Sequence, residues 1–393
     1  MRPKLAIVLG IRPDVIRASL ILGQLRSSRD CELVFIWSGQ HYSENLKDVF
    51  FRELAVQRPD VELHVGSDDD AEVVGRLIPQ LSRVLRELRP MATIFLGDTN
   101  TVMGAVAAAQ LNIPVVHIEG CMRSYDWRMP EEKYRLLVDH LSDVIYAYLE
   151  EYKAQGVREG LNPESIVVTG NPIVDVLHRY YLERPAYYEA LAGPAFFQTR
   201  GLVPQAYYLM TCHRRENVTD ALPLRRILEL VGRARRPVYF PASYRTQRAI
   251  REFKLAVPPN VRIVDPVGYD EFLVLLTHSR GVFTDSGTVV EEACVLQVPA
   301  VQMRRSTERP QVYDVGACVK FDPSGAQEAA PEVVLAKLEA LRTRSWGHPF
   351  GDGRASERIV QDILERVATG GFDRHRPGDY PFDISRAFRP DGL

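Results

Sequence analysis

The sequence of 393 residues has few cysteines, no paired-cysteine motif and no excess charge of either sign. Its five cysteines are widely spaced, which argues against a disulfide framework or a structural zinc site and favours a reducing cytoplasm. Forty-nine Lys and Arg residues against 51 Asp and Glu residues leave a net charge of −2. We therefore expect no broad basic surface for nucleic acid or for an anionic membrane.

Long hydrophobic runs and metal-ligand patterns are also missing. The apolar start of the chain ends at Gly10, too early for a secretory signal, and the apolar stretch 102–116 is shorter than the roughly 20 residues that span a bilayer. The histidines show no metal-ligand spacing, and the acidic segment 67–70 precedes a helical pattern, where helix capping is the expected role. These absences predict a cytoplasmic enzyme without a metal, nucleic-acid or membrane partner.

Short β-branched segments alternate with longer helical patterns along most of the chain. Such alternation predicts an α/β protein with parallel sheets covered by helices on both faces. The pattern loosens between residues 182 and 205 and then restarts, so we expect Rossmann-like doubly wound domains over 1–184 and 185–368, and a surface-packed tail over 369–393. The predicted strands are 5–9, 33–37, 93–96, 115–118, 144–146 and 166–168, then 207–211, 238–241, 261–264, 282–284, 300–302 and 319–321.

Charged side chains follow the predicted strands of the first half, where open α/β sheets bind ligands. Arg12 follows the first strand in a turn without the glycine-rich dinucleotide or P-loop pattern, and suits either a phosphate or solvent. Asp98, Glu119 and Glu131 follow later strands. Carboxylates that share a cleft raise one another's pKa, so one of them can transfer protons near neutral pH. Capping a helix is the alternative role for Asp98 and for Glu131.

The strand ends of the second half carry groups suited to a diphosphate. His213 follows a strand and is flanked by arginines, a setting that favours phosphate contact. The turn 286–287 opens a helix whose free N–H groups bind anions, and Glu292 on that helix can accept hydrogen bonds from a ribose. The arginine-rich segment 304–309 follows the next strand. Together these segments predict a site for a nucleoside diphosphate.

The order and spacing of these motifs resemble the non-hydrolysing UDP-N-acetylglucosamine 2-epimerase family over most of the chain. The resemblance implies two domains of the glycosyltransferase-B type with a cleft between them, a homodimer, and UDP and a UDP-sugar as partners. It also implies elimination of UDP from C1 and C2 to a 2-acetamidoglycal and its re-addition, without a cofactor. The matching segments are 10–14, 38–41, 97–99, 117–119, 130–132, 169–171, 213–217, 285–287, 291–292, 307–310 and 316.

The resemblance also implies roles for individual side chains. The acid/base and diphosphate-side catalytic positions are Asp98, Glu119, Glu131 and His213. The UDP-binding positions are Arg12, Ser286, Gly287, Glu292 and Arg309, and the sugar-side arginines are Arg17, Arg123, Arg128, Arg135 and Arg214.

The chain departs from the family pattern at several points. Thr288 replaces a glycine, Tyr134 replaces an asparagine, and Ser243 replaces a histidine that helps some bacterial members bind a second, activating UDP-sugar. The short segment 123–130 resembles members that act on modified sugars such as UDP-2,3-diacetamido-glucuronate, whose carboxylate would suit Arg128; an ordinary surface loop is the alternative.

UDP-N-acetylglucosamine (UDP-GlcNAc) and UDP-N-acetylmannosamine (UDP-ManNAc) are the default pair of substrate and product. A hydrolysing relative, a transferase of the same fold and a non-catalytic sensor are further alternatives.

Overall fold

The computed structural model describes residues 2–39, 53–54, 56–67, 69–325 and 329–372. Two parallel sheets form its centre, which confirms the predicted α/β fold. The strands of the first sheet are Lys4–Leu9 (β1), Glu32–Trp37 (β2), Val61–Glu62 (β3), Ala92–Leu96 (β4), Val115–Ile118 (β5), Val144–Ala147 (β6) and Ile166–Val168 (β7), in the order β3-β2-β1-β4-β5-β6-β7. Those of the second are Tyr208–Thr211 (β8), Val238–Pro241 (β9), Val261–Val264 (β10), Val282–Thr284 (β11), Ala300–Met303 (β12) and Cys318–Phe321 (β13), in the order β10-β9-β8-β11-β12-β13.

Helices cover both sheets, as expected for strands that are almost continuously apolar. The first half contains Arg12–Ser27 (α1), Asp70–Leu88 (α2), Ala105–Gln110 (α3), Pro130–Leu141 (α4), Glu150–Arg158 (α5) and Pro172–Leu177 (α6). The helices that follow are Pro185–Leu191 (α7), Pro194–Thr199 (α8), Arg215–Val218 (α9), Ala221–Gly232 (α10), Tyr244–Glu252 (α11), Tyr269–Thr277 (α12), Gly287–Val295 (α13), Gln311–Asp314 (α14), Pro331–Leu341 (α15) and Ala355–Thr369 (α16). Short 3₁₀ segments at Asn100–Gly104 and Pro163–Ser165 and a π turn at His178–Leu182 complete the described elements. No helix in the described ranges is long and apolar enough to cross a membrane.

Each predicted strand is present, with its ends within one residue of the predicted ones. The sequence pattern misses β3, because a two-residue edge strand has no detectable alternation. The predicted capping role of the acidic segment before α2 is confirmed at Asp69, whose carboxylate accepts a hydrogen bond from the N–H of Ala71 at 2.7 Å.

The last helix returns from the second sheet to the first half. Helix α16 packs against α1 and α6. Its first turn is held by Asp175 of α6, which accepts hydrogen bonds from the N–H groups of Ala355 at 3.1 Å and Ser356 at 2.5 Å. The predicted domain boundary at 184/185 stays a prediction, and residues 373–393 of the predicted tail lie outside the described residues.

Candidate active site

A cavity lies between the two halves and is bordered by the carboxyl ends of strands from both sheets. Segments that follow β1, β4 and β5 line it on one side, which we call the first side. Segments that follow β8, β9, β11 and β12 line it on the opposite, second side. Of the predicted site residues, the lining includes Arg17, Asp98, Glu119, Glu131, His213, Arg214, Ser286, Gly287 and Arg309. Sequence positions more than 200 residues apart are thus brought to one site.

Glu119 is the most densely paired carboxylate of the cavity. It is 1% exposed and forms ion pairs with Arg135 at 2.8 Å, with Arg309 of the second half at 3.2 Å, and with Arg17. The hydroxyl of Tyr148 donates a hydrogen bond to Oε2 of Glu119 at 3.0 Å. The backbone of Glu119 has a φ of +77°, a conformation that non-glycine residues adopt only where surrounding contacts enforce it.

The other two predicted acid/base residues have opposite pKa shifts. Burial works to raise the pKa of Asp98, but the nearby guanidiniums, first that of Arg135 at 2.6 Å, outweigh burial and hold the pKa below its usual value. Burial raises the pKa of Glu131, with Arg214 opposing this shift and the negative charge of Asp98 adding to it. The N-cap positions of the helical segments that follow are Thr99 and Met129, and Glu131 lies in the first turn of α4, so its alternative role at the helix N-terminus stays open.

Asp14 was not predicted as a site residue, but it supports the acidic side of the cavity. Its carboxylate is fully buried and pairs with Arg17 at 3.0 Å. Burial raises its pKa to about 6, against the opposing charge of Arg17. Its place in the turn after β1 was the available signal, because such turns point toward the strand ends.

On the second side, Asp285 organises the loop that carries His213. Its buried carboxylate accepts hydrogen bonds from the backbone N–H groups of His213 and Arg214, each at 2.9 Å, and from the amide of Asn217 at 3.1 Å. The His213 ring lies 3.5 Å from the same carboxylate. Burial lowers the pKa of His213, and the charge of Asp285 opposes the shift. Asp285 thereby holds the ring and the Arg214 backbone at the cavity.

Arg309 is the central cation of the second side. It pairs with Glu291 at 2.6 Å and with Glu308, and it reaches Glu119 across the cleft. A Cβ atom at Gly287 would lie 2.5 Å from its guanidinium, so only glycine permits this close approach. Burial would raise the pKa of Glu308, but the neighbouring arginines hold it well below its usual value.

Arg12, which is half-buried, and Glu292, which is buried, form a second charged group beside the cavity. Arg12 donates to the carbonyl of Val267 at 3.1 Å, and burial lowers its pKa to about 10. Glu292 is 2% exposed and accepts a hydrogen bond from the Tyr269 hydroxyl at 2.7 Å. Burial raises the pKa of Glu292 to about 8. The charges of these two predicted UDP-binding residues influence each other's pKa, but neither residue lines the cavity itself.

Three predicted sugar-side arginines also lie outside the cavity lining. Arg135 is buried beneath the acids that it pairs with. Arg123 is buried further back, where it pairs with Asp139 at 2.8 Å and with Glu159 at 2.7 Å. Arg128 is exposed and engaged with Asp126 through its Nε at 2.7 Å and its Nη2 at 2.5 Å. A direct sugar contact by these arginines stays a prediction.

Three residues that were not predicted as site residues close the rim of the cavity, although the sequence analysis weighed Asp70 as part of a capping segment and noted Tyr134 as a departure from the family pattern. Asp70 at the start of α2 pairs with Arg215 of α9 across the two halves and accepts a hydrogen bond from Asn100 at 2.9 Å. Tyr134 and Arg245 also line the cavity. A motif search emphasises residues directly after strands, and Asp70 and Tyr134 lie on helices, where no strand end pointed to them.

The charge pattern suits transfer of protons beside a departing diphosphate. Carboxylates border the first side together with Arg17, and guanidiniums, the preferred ligands of diphosphate oxygens, border the second, which makes an organic diphosphate the candidate ligand of this cavity. In the parts of the chain that the structure describes, no group of three or more His, Cys, Asp or Glu side chains could hold a metal ion.

Comparisons with known proteins agree with this arrangement. The family profile described as UDP-N-acetylglucosamine 2-epimerase matches residues 23–364. UDP-N-acetylglucosamine 2-epimerase of Methanocaldococcus jannaschii is 37% identical over 368 residues, covering 91% of this chain and 98% of the relative. UDP-2,3-diacetamido-2,3-dideoxy-D-glucuronate 2-epimerase of Pseudomonas aeruginosa is 30% identical over 376 residues, covering 92% and 99%. A crystal structure of the M. jannaschii enzyme in complex with UDP-GlcNAc and UDP superposes with a TM-score of 0.83 at 35% identity, covering 92% of this chain and 99% of that one.

Proposed function

The chain belongs to the UDP-N-acetylglucosamine 2-epimerase family, and we propose that it interconverts UDP-GlcNAc and UDP-ManNAc by eliminating and re-adding UDP. One observation supports this proposal most directly. Three carboxylates of the first half share a single cavity with the diphosphate-type cations of the second half, and Glu119 and Arg309 join the two sides at 3.2 Å. The carboxylates for proton transfer and the guanidiniums for diphosphate binding thus lie in one cavity.

Inversion at C2 requires that a proton leave one face of the sugar and return to the other. The C2 proton is weakly acidic, so a positioned carboxylate must accept it. Asp98, held ionised by Arg135, suits the accepting role, and Glu131, whose pKa is raised, suits the donating role. In the reverse direction the two exchange roles. Glu119 is paired with Arg17, Arg135 and Arg309 and holds these three guanidiniums in place.

The leaving UDP carries away the electron pair of its bond to C1, and the second side stabilises that charge. Arg214 and Arg309 are preorganised by buried carboxylates, so they need not reorganise when the diphosphate departs. His213 lies beside them on the loop that Asp285 fixes. The contacts that join the halves exclude water from the glycal until UDP is re-added.

The position of Arg128 favours the unmodified acetamido sugar over a uronate as the substrate. Arg128 is exposed and lies outside the cavity lining, where it makes a two-point contact with Asp126, so it does not face a sugar bound in the cavity. The arginines that do line the cavity are Arg17, Arg214, Arg215, Arg245 and Arg309. We therefore place UDP-GlcNAc before UDP-2,3-diacetamido-glucuronate as the substrate.

Proton NMR in D₂O tests this function. The protein is incubated with UDP-GlcNAc, and the C2 proton and the anomeric signals are followed. Incorporation of deuterium at C2 together with UDP-ManNAc signals is the expected result. Accumulation of free UDP and free sugar would identify a hydrolysing enzyme instead. Absence of exchange while UDP binds normally would contradict the proposal, and exchange of only the diacetamido-glucuronate substrate would reassign the sugar.

The assembly and location of the protein are proposed on the family resemblance and on cysteine chemistry. A homodimer is expected, and sedimentation velocity should then give about twice the 44.5 kDa chain mass. All five cysteines are free thiols buried in the described structure, which is in keeping with a reducing cytoplasm. A monomeric mass at micromolar concentration would contradict the homodimer.

A further inference from the structure

His117 is a buried histidine that the mechanism above does not use. It lies on β5, two residues before Glu119, and is fully buried. Its Nδ1 lies 2.7 Å from Asp139 of α4, and its Nε2 lies 2.8 Å from the carbonyl oxygen of Gly97. Gly97 directly precedes Asp98, so this one ring links the chain beside Asp98 to Asp139 and itself lies two residues before Glu119.

The contact with Gly97 fixes the turn that presents Asp98. The Gly97 N–H donates to the Ile118 carbonyl at 3.0 Å as the last bond of the β4–β5 ladder, and its carbonyl accepts from His117. A peptide group is planar, so fixing this carbonyl also fixes the backbone N–H with which Asp98 begins. A carbonyl oxygen only accepts hydrogen bonds, so Nε2 of the ring must carry a proton.

The contact with Asp139 fixes the turn that presents Glu119. Asp139 accepts a hydrogen bond from the N–H of Cys121 at 3.0 Å and pairs with Arg123 at 2.8 Å. Both Glu119 and Cys121 have positive φ values, +77° and +64°, and flank Gly120. Such backbone persists only where the surrounding structure enforces it. Asp139 is one of the groups that enforce it.

The space around Gly120 shows how closely these groups fit. A Cβ atom at residue 120 would lie 2.8 Å from the Asp139 carboxylate and 3.2 Å from Nδ1 of His117. Burial would raise the pKa of Asp139, but its bonds to His117 and Arg123 outweigh burial and hold it below the usual value. Asp139 is thus an ionised acceptor that accepts bonds from the ring, the turn and the arginine together.

We propose that His117 and Asp139 are positioning residues, which join the carboxyl ends of β4 and β5 and thereby set the relative placement of the Asp98 and Glu119 carboxylates. This inference rests on the proposed epimerase function for its kinetic consequence, but not for its structural one. Neither residue lines the cavity, so neither acts on the substrate directly.

Three substitutions at His117 separate its two contacts. His117→Gln keeps a donor where Nε2 lies and so retains the Gly97 contact, whereas His117→Asn keeps a donor where Nδ1 lies and retains the Asp139 contact. His117→Leu removes both. We expect kcat to fall about 100-fold in His117→Leu and about tenfold in each of the others, with KM and the UDP dissociation constant within about twofold of wild type. The control is His140→Gln, on the exposed face of α4, which should leave kcat unchanged.

A crystal structure of His117→Leu decides the question independently of the reaction. We expect the carboxylates of Asp98 and Glu119 to shift relative to each other by about 1 Å, the scale of misplacement that costs about 100-fold in rate. Unmoved carboxylates, or a kcat within twofold of wild type, would overturn the proposal. If His117→Leu does not fold, the same two measurements on Asp139→Asn and His117→Gln take its place. If the wild type itself shows no C2 exchange, the proposed function fails, and the crystal structure still tests the positioning role.

Discussion

The two sides of the cleft are built from the same kinds of charges in opposite order. On the first side, carboxylates face the cavity together with Arg17, and Arg135 supports them from behind. On the second side, Arg214 and Arg309 face the cavity, and Glu291 and Glu308 support them. The main group that faces the cavity thus differs between the sides, and pairing with the opposite charge limits the cost of burying these groups.

This difference assigns a separate task to each side. A carboxylate that faces a sugar can exchange protons, and its supporting arginine decides whether it is ionised. A guanidinium that faces a diphosphate stabilises negative charge, and its supporting carboxylates fix its orientation. Asp98 and Glu131 illustrate the first case, since the one with a direct arginine partner has a lowered pKa and the other a raised pKa.

Asp98→Asn should impair proton transfer by the first side, and this is the largest effect that we expect. The amide keeps the size of the side chain but no longer accepts the C2 proton, so we expect C2 exchange in D₂O to fall about 1,000-fold. UDP binding, measured by calorimetry, should stay within about threefold, because the cations of the second side are untouched. Asp352→Asn, an exposed carboxylate paired with Arg358, is the control. A wild-type exchange rate in Asp98→Asn would remove this residue from the acid/base set.

Arg214→Met should weaken UDP binding by the second side, and this is the next largest effect that we expect. This change removes a guanidinium that lines the cavity, and we expect the UDP dissociation constant to rise about 100-fold. Arg305→Met is the matched control, because Arg305 belongs to the arginine-rich segment but is exposed and outside the cavity lining. Equal weakening in both variants would show that general positive charge, and not this side of the cleft, binds UDP.

The opposite pKa shifts of Asp98 and Glu131 can be measured by ¹³C NMR of the carboxyl groups. We expect Glu131 to titrate above, and Asp98 below, the usual pKa of its side-chain type. Because the charge of Asp98 raises the pKa of Glu131 and that of Arg214 lowers it, Asp98→Asn should lower the Glu131 pKa and Arg214→Met should raise it.

The raised pKa also predicts the sign of a pH effect on folding. The stability that a proton on Glu131 contributes is fully present below the unfolded-state pKa and is lost as pH rises through the folded-state pKa. Glu131→Gln should therefore flatten the loss of melting temperature with rising pH across this interval. An unchanged slope would contradict the raised pKa.

Much of the fold was predictable because the strands carry a strong local signal. Continuous apolar segments such as 5–9 and 33–37 were placed correctly because buried parallel strands need apolar side chains on both faces. The strand ends then predicted which residues meet, and the cavity lining includes Asp98, Glu119 and His213 as expected. This rule works because parallel strands present their carboxyl ends at one edge.

The supporting charges were not predictable in the same way. Asp14, Glu291 and Glu308 gain their importance only from arginines that approach in the folded state. Nearby acids likewise engage Arg123 and Arg128 outside the cavity, and their sugar contacts stay a prediction. Pairing between distant side chains depends on tertiary distances, which local periodicity does not encode.

Closure of the cleft is the smallest effect that the comparison predicts. The two sides touch directly through Glu119 and Arg309, and further out through Asp126 and Ser306 at 2.8 Å. A diphosphate that reaches cations on both sides, Arg17 on the first and Arg309 on the second, binds this arrangement more tightly than one in which the sides are apart, because separated sides present it only one set of cations. Small-angle scattering should therefore give a slightly smaller radius of gyration with UDP than without it, whereas uridine, which lacks the diphosphate, should give no change. Identical radii in all three states would mean that the two sides are already fixed at this separation, and that water is excluded by the static fit of the halves and not by their movement.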